Sequence, residues 1–431
     1  MTTPRYPQGC PARSQVRGRA AAWSPESYAW NVNFNNGNVN NNHRNNTGFA
    51  LAVRRASEFQ GAEGVSLRSL HEAWRRARRQ KVPSHNQARF DRRWGDGLLQ
   101  LQRELLTGTW APRRATCFIA TRPKAREIHA PDFADRVVHH WLVPQLEAIY
   151  EPGFIHDSYA NRAGKGSHAA VRRLQDFVRQ VASGQGSGYF LQLDIRNFFV
   201  SIHRPTLWAL LRQRMQARGV PDVVQHAVHA LLRHDPLHAG VDMRASSDEV
   251  AMVPAHKRLA NAAPGCGLPI GNLSSQFFAN VYLDAIDQFV KHVLRVKRYL
   301  RYVDDFVLVH RDRAQLAAWR DAIADFLATK LRLSLKADER LRPLGDGIDF
   351  LGYIVRPTHT LVRRRVVAHA HDALARWEAV HVRGARIHAT ADAKAQVRAQ
   401  LASYQGHFTH ASTQRLSARI LERFPWIEDV A

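Results

Sequence analysis

Three aspartates sit where aspartates are costly. Asp194 interrupts the apolar run LQLDIRNFF, and Asp304 and Asp305 lie between apolar segments in RYVDDFVLV. A carboxylate buried among hydrocarbon is unfavourable unless it is paired or binds a cation. A lone Asp-Asp ordinarily marks a solvated surface turn. Here it is flanked by Tyr302-Val303 on one side and Phe306, Val307, Leu308 and Val309 on the other, and a strand-borne Asp lies upstream. Three carboxylates on adjacent strands can hold two divalent cations through oxygen, the ligand Mg²⁺ prefers, with Mn²⁺ as an alternative. Such a cation pair activates a hydroxyl nucleophile and stabilises a leaving pyrophosphate.

The composition agrees with a polyanionic partner. The 431 residues carry 62 Lys+Arg against 37 Asp+Glu, a formal net charge of +25. A surface of that kind attracts polyphosphates, with a steep dependence on salt. An arginine-heavy composition also follows from GC-rich coding, but that bias alone does not explain the deficit of acids. With 45% hydrophobic residues the bulk is globular, two or three domains by length. The three cysteines, Cys10, Cys117 and Cys266, are far apart and form no CxxC pair. This excludes a disulfide-stapled secreted fold and argues against structural zinc. No uncharged apolar run reaches the ~18 residues that span a bilayer, and the N-terminus has no apolar signal-peptide core. The expected location is the cytoplasm, without a membrane partner.

The elements that must position these aspartates follow from periodicity. SLRSLHEAWRRARRQKV and Arg89–Leu106 read as amphipathic helices. ATCFIATRPKAREIHAP reads as two strands joined at Pro123, and Asp132–Tyr150 as a helix running past Pro144. Tyr189–Ile202 reads as one buried strand, followed by a helix from about Pro205 and an irregular stretch over 233–265. GLPIGNLSSQFFANVYLDAIDQFV reads as a Gly-rich loop opening an apolar helix, and RYLRYVDDFVLVH as two strands around the acidic turn. Leu316–Leu331 is helical; Leu333–Lys336, Ile348–Val355 and Leu361–Val366 read as strands; the remainder reads as two or three helices. Asp132, Asp135, Asp157 and Asp235 read as solvated or capping, and the histidines show no ligand spacing.

In this order the blocks resemble a family. YVDD at 302–305 resembles motif C of reverse transcriptases, LDIRNFFVSI motif A, GLPIGNLSSQFFAN motif B, LRLSLKADE motif D, FLGYIV motif E, and SYANRAGKGSHAAV the fingers motif before motif A. The resemblance implies an α+β right-hand polymerase with fingers, a palm of antiparallel sheet plus helices, and a helical thumb. It places fingers and palm at 61–356 and the thumb at 357–431. It implies RNA-directed DNA polymerase activity by a two-metal mechanism, with Asp194 and Asp304 as principal metal ligands and Asp305 in support. Phe199 would be the aromatic gate that excludes a ribose 2′-hydroxyl. Arg126, with Lys124 or Arg122, would grip the deoxynucleoside triphosphate, and Ile270, Gly271 and Gln276 would complete its pocket. Lys336 would be the general acid for pyrophosphate. Phe350, Leu351, Gly352 and Tyr353 would form the primer grip.

Motif B also points to a subgroup. Group II intron and retroviral enzymes often carry Gln before the motif B Gly; Ile270-Gly271 followed by Ser275-Gln276 resembles diversity-generating retroelement reverse transcriptases. Membership there implies a template-repeat RNA copied into cDNA with errors at adenines, and a small basic oligomeric accessory variability protein as partner. Ten Asn fall within residues 31–46 and six in all the rest. Asn codons are adenine-rich, so residues 22–54 read as an in-frame translated template repeat, and 1–60 as a segment without a packed core. The chain ends 76 residues after Val355 (431 − 355), room for a thumb, with no RNase H, integrase or HNH domain expected. The alternative reading is a defence-associated or orphan bacterial reverse transcriptase.

Overall fold

The computed structural model describes residues 65–430, apart from 80–81, 122–123, 184–187 and 385, together with residues 31–32 and 39–40. The rest of the Asn-rich segment expected at 1–60 lies outside the described residues.

The first helix, α1 (Leu67–Arg78), is capped by Ser66, whose side chain accepts the Ser69 N–H at 3.1 Å. Leu70, Ala73, Trp74 and Ala77 form its buried stripe. The single helix expected over Arg89–Leu106 is two, α2 (His85–Asp91) and α3 (Trp94–Leu106), because Arg93 leaves helical torsions at φ −135°, ψ 42°. Tertiary contact accounts for the break. Trp94 stacks on Trp74 at 5.0 Å, while Trp74 donates its indole N–H to Asp91 at 2.9 Å.

Strands β1 (Ala115–Ala120) and β2 (Arg126–Ala130) form the expected antiparallel hairpin, with Cys117 opposite His129 and Ala120 opposite Arg126. Helix α4 (Phe133–Tyr150) starts at Asp132, whose carboxylate accepts the Ala134 N–H at 2.9 Å, and runs past Pro144. Helix α5 (Ser167–Ala182) precedes β3 (Tyr189–Asp194). The strand expected to reach Ile202 stops at Asp194. Asn197 adopts left-handed torsions (φ 49°) and Phe198–Ser201 coil into a helical turn. Two helices follow, α6 (Arg204–Ala217) and α7 (Asp222–Arg233), separated at Gly219 (φ 61°) and Pro221. The stretch expected to be irregular supplies β4 (Val241–Met243), which extends the hairpin by pairing parallel to β1.

Helix α8 (Leu273–Gln288) leads to β5 (Tyr299–Tyr302), β6 (Asp305–His310) and helix α9 (Arg313–Leu331). The strand expected at Leu333–Lys336 is only an isolated bridge, Leu335 to Ile195; the sheet's edge is β7 (Arg340–Pro343). The order β5-β6-β3-β7 is antiparallel throughout. Phe306, Val307, Leu308 and Val309 are all buried, so both faces of β6 are covered; α5 and α9 both pack on it. The strand expected over Ile348–Val355 is a hairpin, β8 (Ile348–Phe350) and β9 (Tyr353–Val355). It folds back because Leu351 (φ 50°) and Gly352 (φ 92°) are both left-handed. Strand β10 (Thr360–Val362) completes this sheet, and the chain turns helical at α10 (Arg364–His381), inside what reads as a strand. With α11 (Ala391–Phe408) and α12 (Gln414–Arg423), α10 builds a second small core of Leu374, Val397, Leu401, Phe424 and Trp426. The architecture is α+β. No helix among the described residues is long and apolar enough to cross a membrane.

Candidate active site

The register of the central sheet decides the geometry. On β3, Asp194 lies directly across from Asp305 at the start of β6, and Asp304 sits in the turn between β5 and β6. Val303 in that turn has φ 54°, a costly conformation for a β-branched residue. Arg301, behind it, holds the turn in place. Its guanidinium is 1% exposed and donates to the Val303 carbonyl at 2.9 Å, to Ser158 Oγ at 3.1 Å and to Asp287 at 2.7 Å. The Tyr299 hydroxyl donates to the same Asp287 carboxylate at 2.6 Å. Sequence reasoning assigned no role to Arg301 or Asp287. The available signal was an Arg inside the apolar strand YLRYV and an Asp inside the apolar helix YLDAIDQ.

The three site carboxylates repel one another in a buried setting. Burial, then Asp194, pushes the Asp304 carboxyl up; burial, then Asp304 and Asp194, pushes Asp305 well up. Asp194 Oδ2 accepts from Lys336 Nζ, while its Oδ1 is buried with no hydrogen-bond partner. Burial alone would lower the Lys336 ammonium, but Asp194, Asp304 and Asp305 together raise it. The Lys336 backbone also donates to the Asp194 carbonyl at 2.9 Å. An all-oxygen donor set, mutually repelling carboxylates and an orphaned buried oxygen fit a divalent cation of Mg²⁺ type.

A positive rim faces these acids. Arg126 opens β2; burial lowers its pKa and the field of Asp304 opposes that. Burial lowers Lys124 too, reinforced by Lys257, Arg365, Lys336 and Arg126. Arg122 lies outside the described residues. Phe199, half-buried, packs edge-on against Phe198 at 5.3 Å, and its carbonyl accepts the Leu268 N–H at 2.9 Å. This bond draws the Gly-rich loop to the turn after Asp194. The Ile270 carbonyl accepts the His129 N–H at 2.7 Å, tying the same loop to β2. Gly271 has φ 118°, and a Cβ there would lie 2.9 Å from Ile128 Cγ2 and 3.1 Å from the His129 carbonyl oxygen, so only glycine fits. Gln276 is half-buried in the first turn of α8.

The Phe350–Tyr353 turn joins β8 to β9, and its Gly352 carbonyl accepts the backbone N–H of Arg363 at 2.8 Å, a residue whose charge bears on Asp305. Phe350, Leu351 and Tyr353 are buried. Tyr353 stacks on His407 of α11 at 4.3 Å and donates its hydroxyl to the His407 carbonyl at 2.8 Å. Asp132 caps a helix and Asp235 accepts the Leu237 N–H at 3.0 Å, as expected of them. Asp135 and Asp157 are instead buried ion-pair partners, Asp135 with Arg113 at 2.9 Å and Asp157 with Arg173 at 2.8 Å. Burial opposes the charge on Asp157, but Arg173, His156 and Lys291 outweigh it and hold its pKa below the ordinary value.

Residues 120–355 match the family model described as reverse transcriptase (RNA-dependent DNA polymerase). The chain is 24% identical over 300 residues to Protein YkfC of Escherichia coli (strain K12), covering 62% of this chain and 71% of that protein. It is 21% identical over 295 residues to the group II intron-encoded protein LtrA of Lactococcus lactis subsp. cremoris, covering 58% of this chain and about half (48%) of LtrA. Among solved structures, apo telomerase from Candida tropicalis truncated from its C-terminal domain superposes with a TM-score of 0.42 and 11% identity. That match covers 57% of this chain and 54% of that one.

Proposed function

This chain belongs to the reverse transcriptase (RNA-dependent DNA polymerase) family, and from that premise we propose that it copies an adenine-rich template-repeat RNA into mutagenised cDNA for targeted gene diversification. Its fold is the α+β right hand of that family. The observation that carries its polymerase chemistry is Asp194 facing Asp305, with Asp304 beside them and a buried Asp194 oxygen without a partner; the template-repeat part rests on Ile270-Gly271 with Ser275-Gln276 and on the Asn run at 31–46.

Asp194, Asp304 and Asp305 would hold Mg²⁺, or Mn²⁺ in its place. When bound, these ions supply activation of the primer 3′-hydroxyl and charge neutralisation at the leaving pyrophosphate. Arg126 and Lys124 bind the triphosphate oxygens through charge-assisted hydrogen bonds. Phe199 excludes the 2′-hydroxyl of a ribonucleotide. Lys336, its ammonium resting on Asp194, donates a proton to the leaving pyrophosphate. The side chains of Phe350, Leu351 and Tyr353 are internal, so a primer-grip role falls on the backbone of the turn at Leu351 and Gly352. Residues 61–356 act as fingers and palm, 357–431 as the thumb, and 1–60 include the translated template repeat. Ile270 presents hydrocarbon where related enzymes present a polar Gln, and this loosens control of the nascent base pair. A small basic accessory oligomer is the expected protein partner, in the cytoplasm.

The test is primer extension on an adenine-rich RNA template with Mg²⁺ and all four deoxynucleotides. It is run with and without the accessory protein, and the products are sequenced. Errors concentrated at template adenines, and fewer of them in Ile270→Gln, support the retroelement reading. Faithful DNA moves the protein to the defence-associated or orphan class. RNA binding without any DNA product overturns the polymerase assignment.

A further inference from the structure

We propose that Cys117, Glu127 and His129 form a binding site for a transition-metal dication of zinc type, separate from the aspartate centre. The antiparallel register builds it. Cys117 on β1 is paired directly with His129 on β2, and Glu127 lies two residues before His129, so all three project from one face of the hairpin. One ligand atom from each residue lies within 4.8 Å of the other two.

The imidazole is what points to a ligand. His129 is 1% exposed, and neither ring nitrogen has a hydrogen-bond partner. Its nearest acidic atom, Glu127 Oε2, is 3.6 Å from Nε2, beyond a hydrogen bond. Leaving a buried polar group without a partner is costly, and a metal bond to one nitrogen removes that cost at the nitrogen it engages. Glu127 is already fixed, since its Oε2 accepts the Leu259 N–H at 2.6 Å. Cys117 is fully buried, and burial with Glu127 nearby pushes its thiol up to about 11. Binding reverses this preference: the sulfur–metal bond forms as the S–H bond breaks, and the proton leaves to buffer.

The donor set names the metal class. Thiolate, imidazole and carboxylate suit Zn²⁺ and its neighbours, whereas Mg²⁺ takes oxygen. Bonds of ~2.0–2.3 Å place tetrahedral ligand atoms about 3.5 Å apart, so small rotations close the site and leave a fourth position for water. The absence of CxxC spacing argues against zinc only where ligands are neighbours in sequence; here strand pairing brings them together. His129 also donates its backbone N–H to the Ile270 carbonyl at 2.7 Å. On the polymerase reading above, the ion therefore braces the loop beside the nucleotide.

The test is metal binding by the full chain, independent of polymerisation. Zn²⁺ is titrated against a chromophoric chelator, and Co²⁺ is substituted to read the thiolate charge-transfer band. One Zn²⁺ per chain is expected at this site, with that band present. Cys117→Ser and His129→Gln should each weaken Zn²⁺ binding roughly 10- to 100-fold, and Cys117→Ser should abolish the band. Cys10→Ser/Cys266→Ser and Asp304→Ala/Asp305→Ala should keep the band, which separates this site from the other two cysteines and from the aspartate centre. Circular dichroism checks folding, and His129→Gln carries the test alone if Cys117→Ser does not fold. No saturable Zn²⁺ binding, or binding unchanged in His129→Gln, overturns the proposal.

Discussion

The two sides of the Val303–Asp304 turn treat acidic groups in opposite ways. Behind it, Asp287 is fully buried and fully satisfied by Arg301 and Tyr299. In front, Asp194, Asp304 and Asp305 crowd together with one lysine among them and a buried oxygen unpartnered. The rear pair balances its own charge and fixes the backbone. The front is left electrostatically incomplete, which costs stability and leaves a place for cations. Activity and stability should therefore respond in opposite directions on the two sides.

The largest effect is expected in front. Asp304→Ala/Asp305→Ala should lower DNA synthesis by at least about 10²–10³-fold without lowering the melting temperature, because mutual repulsion is relieved. A variant that melts well below wild type would break the comparison. Next, Asp287→Ala should destabilise by about 3–5 kcal/mol, since it strands a buried guanidinium. Denaturant unfolding checks this, and Asp287→Leu/Arg301→Met should recover most of the loss. Gly271→Ala comes third. Its torsion and the close His129 carbonyl call for strain of about 1–3 kcal/mol, read as a raised KM for deoxynucleotides and a small fall in melting temperature.

The smallest effect lies where α5 meets α11. Burial, then His410 and His407, pulls the His168 imidazole from 6.5 to about 3, with Arg172 adding to the shift. Burial pulls His407 from 6.5 to about 4. Both folded values lie below the unfolded one, so the unfolded chain binds more protons between pH 4 and 6.5. Stability should fall as pH drops through that window. In His168→Gln the melting temperature should vary by a few °C less over the same range.

The aspartates were legible because apolar neighbours on both sides made them anomalous. The hairpin after Ala115 and the helices opening at Leu67, Phe133 and Leu273 were legible from periodicity. The misread segments share a cause. Tyr189–Ile202 and Ile348–Val355 are apolar along their length, but Asn197, Leu351 and Gly352 reverse the chain inside them. Nothing local announces a left-handed Leu351; the packing of Tyr353 against His407 accompanies it. The break at Arg93 likewise goes with the Trp74–Trp94 stack. Asp287 and Arg301 are 14 residues apart and meet only through the fold. Cys117, Glu127 and His129 acquire meaning only once Cys117 is known to pair with His129.

The most direct measurement is incorporation of a single deoxynucleotide onto a primer annealed to RNA, with and without Mg²⁺ or Mn²⁺. Wild type is compared with Asp304→Ala/Asp305→Ala, each with and without the basic accessory protein. The account predicts divalent-dependent extension by wild type and none by the double variant, although both bind the RNA. Extension by the double variant at the wild-type rate, or none by wild type under every one of these conditions, would contradict it.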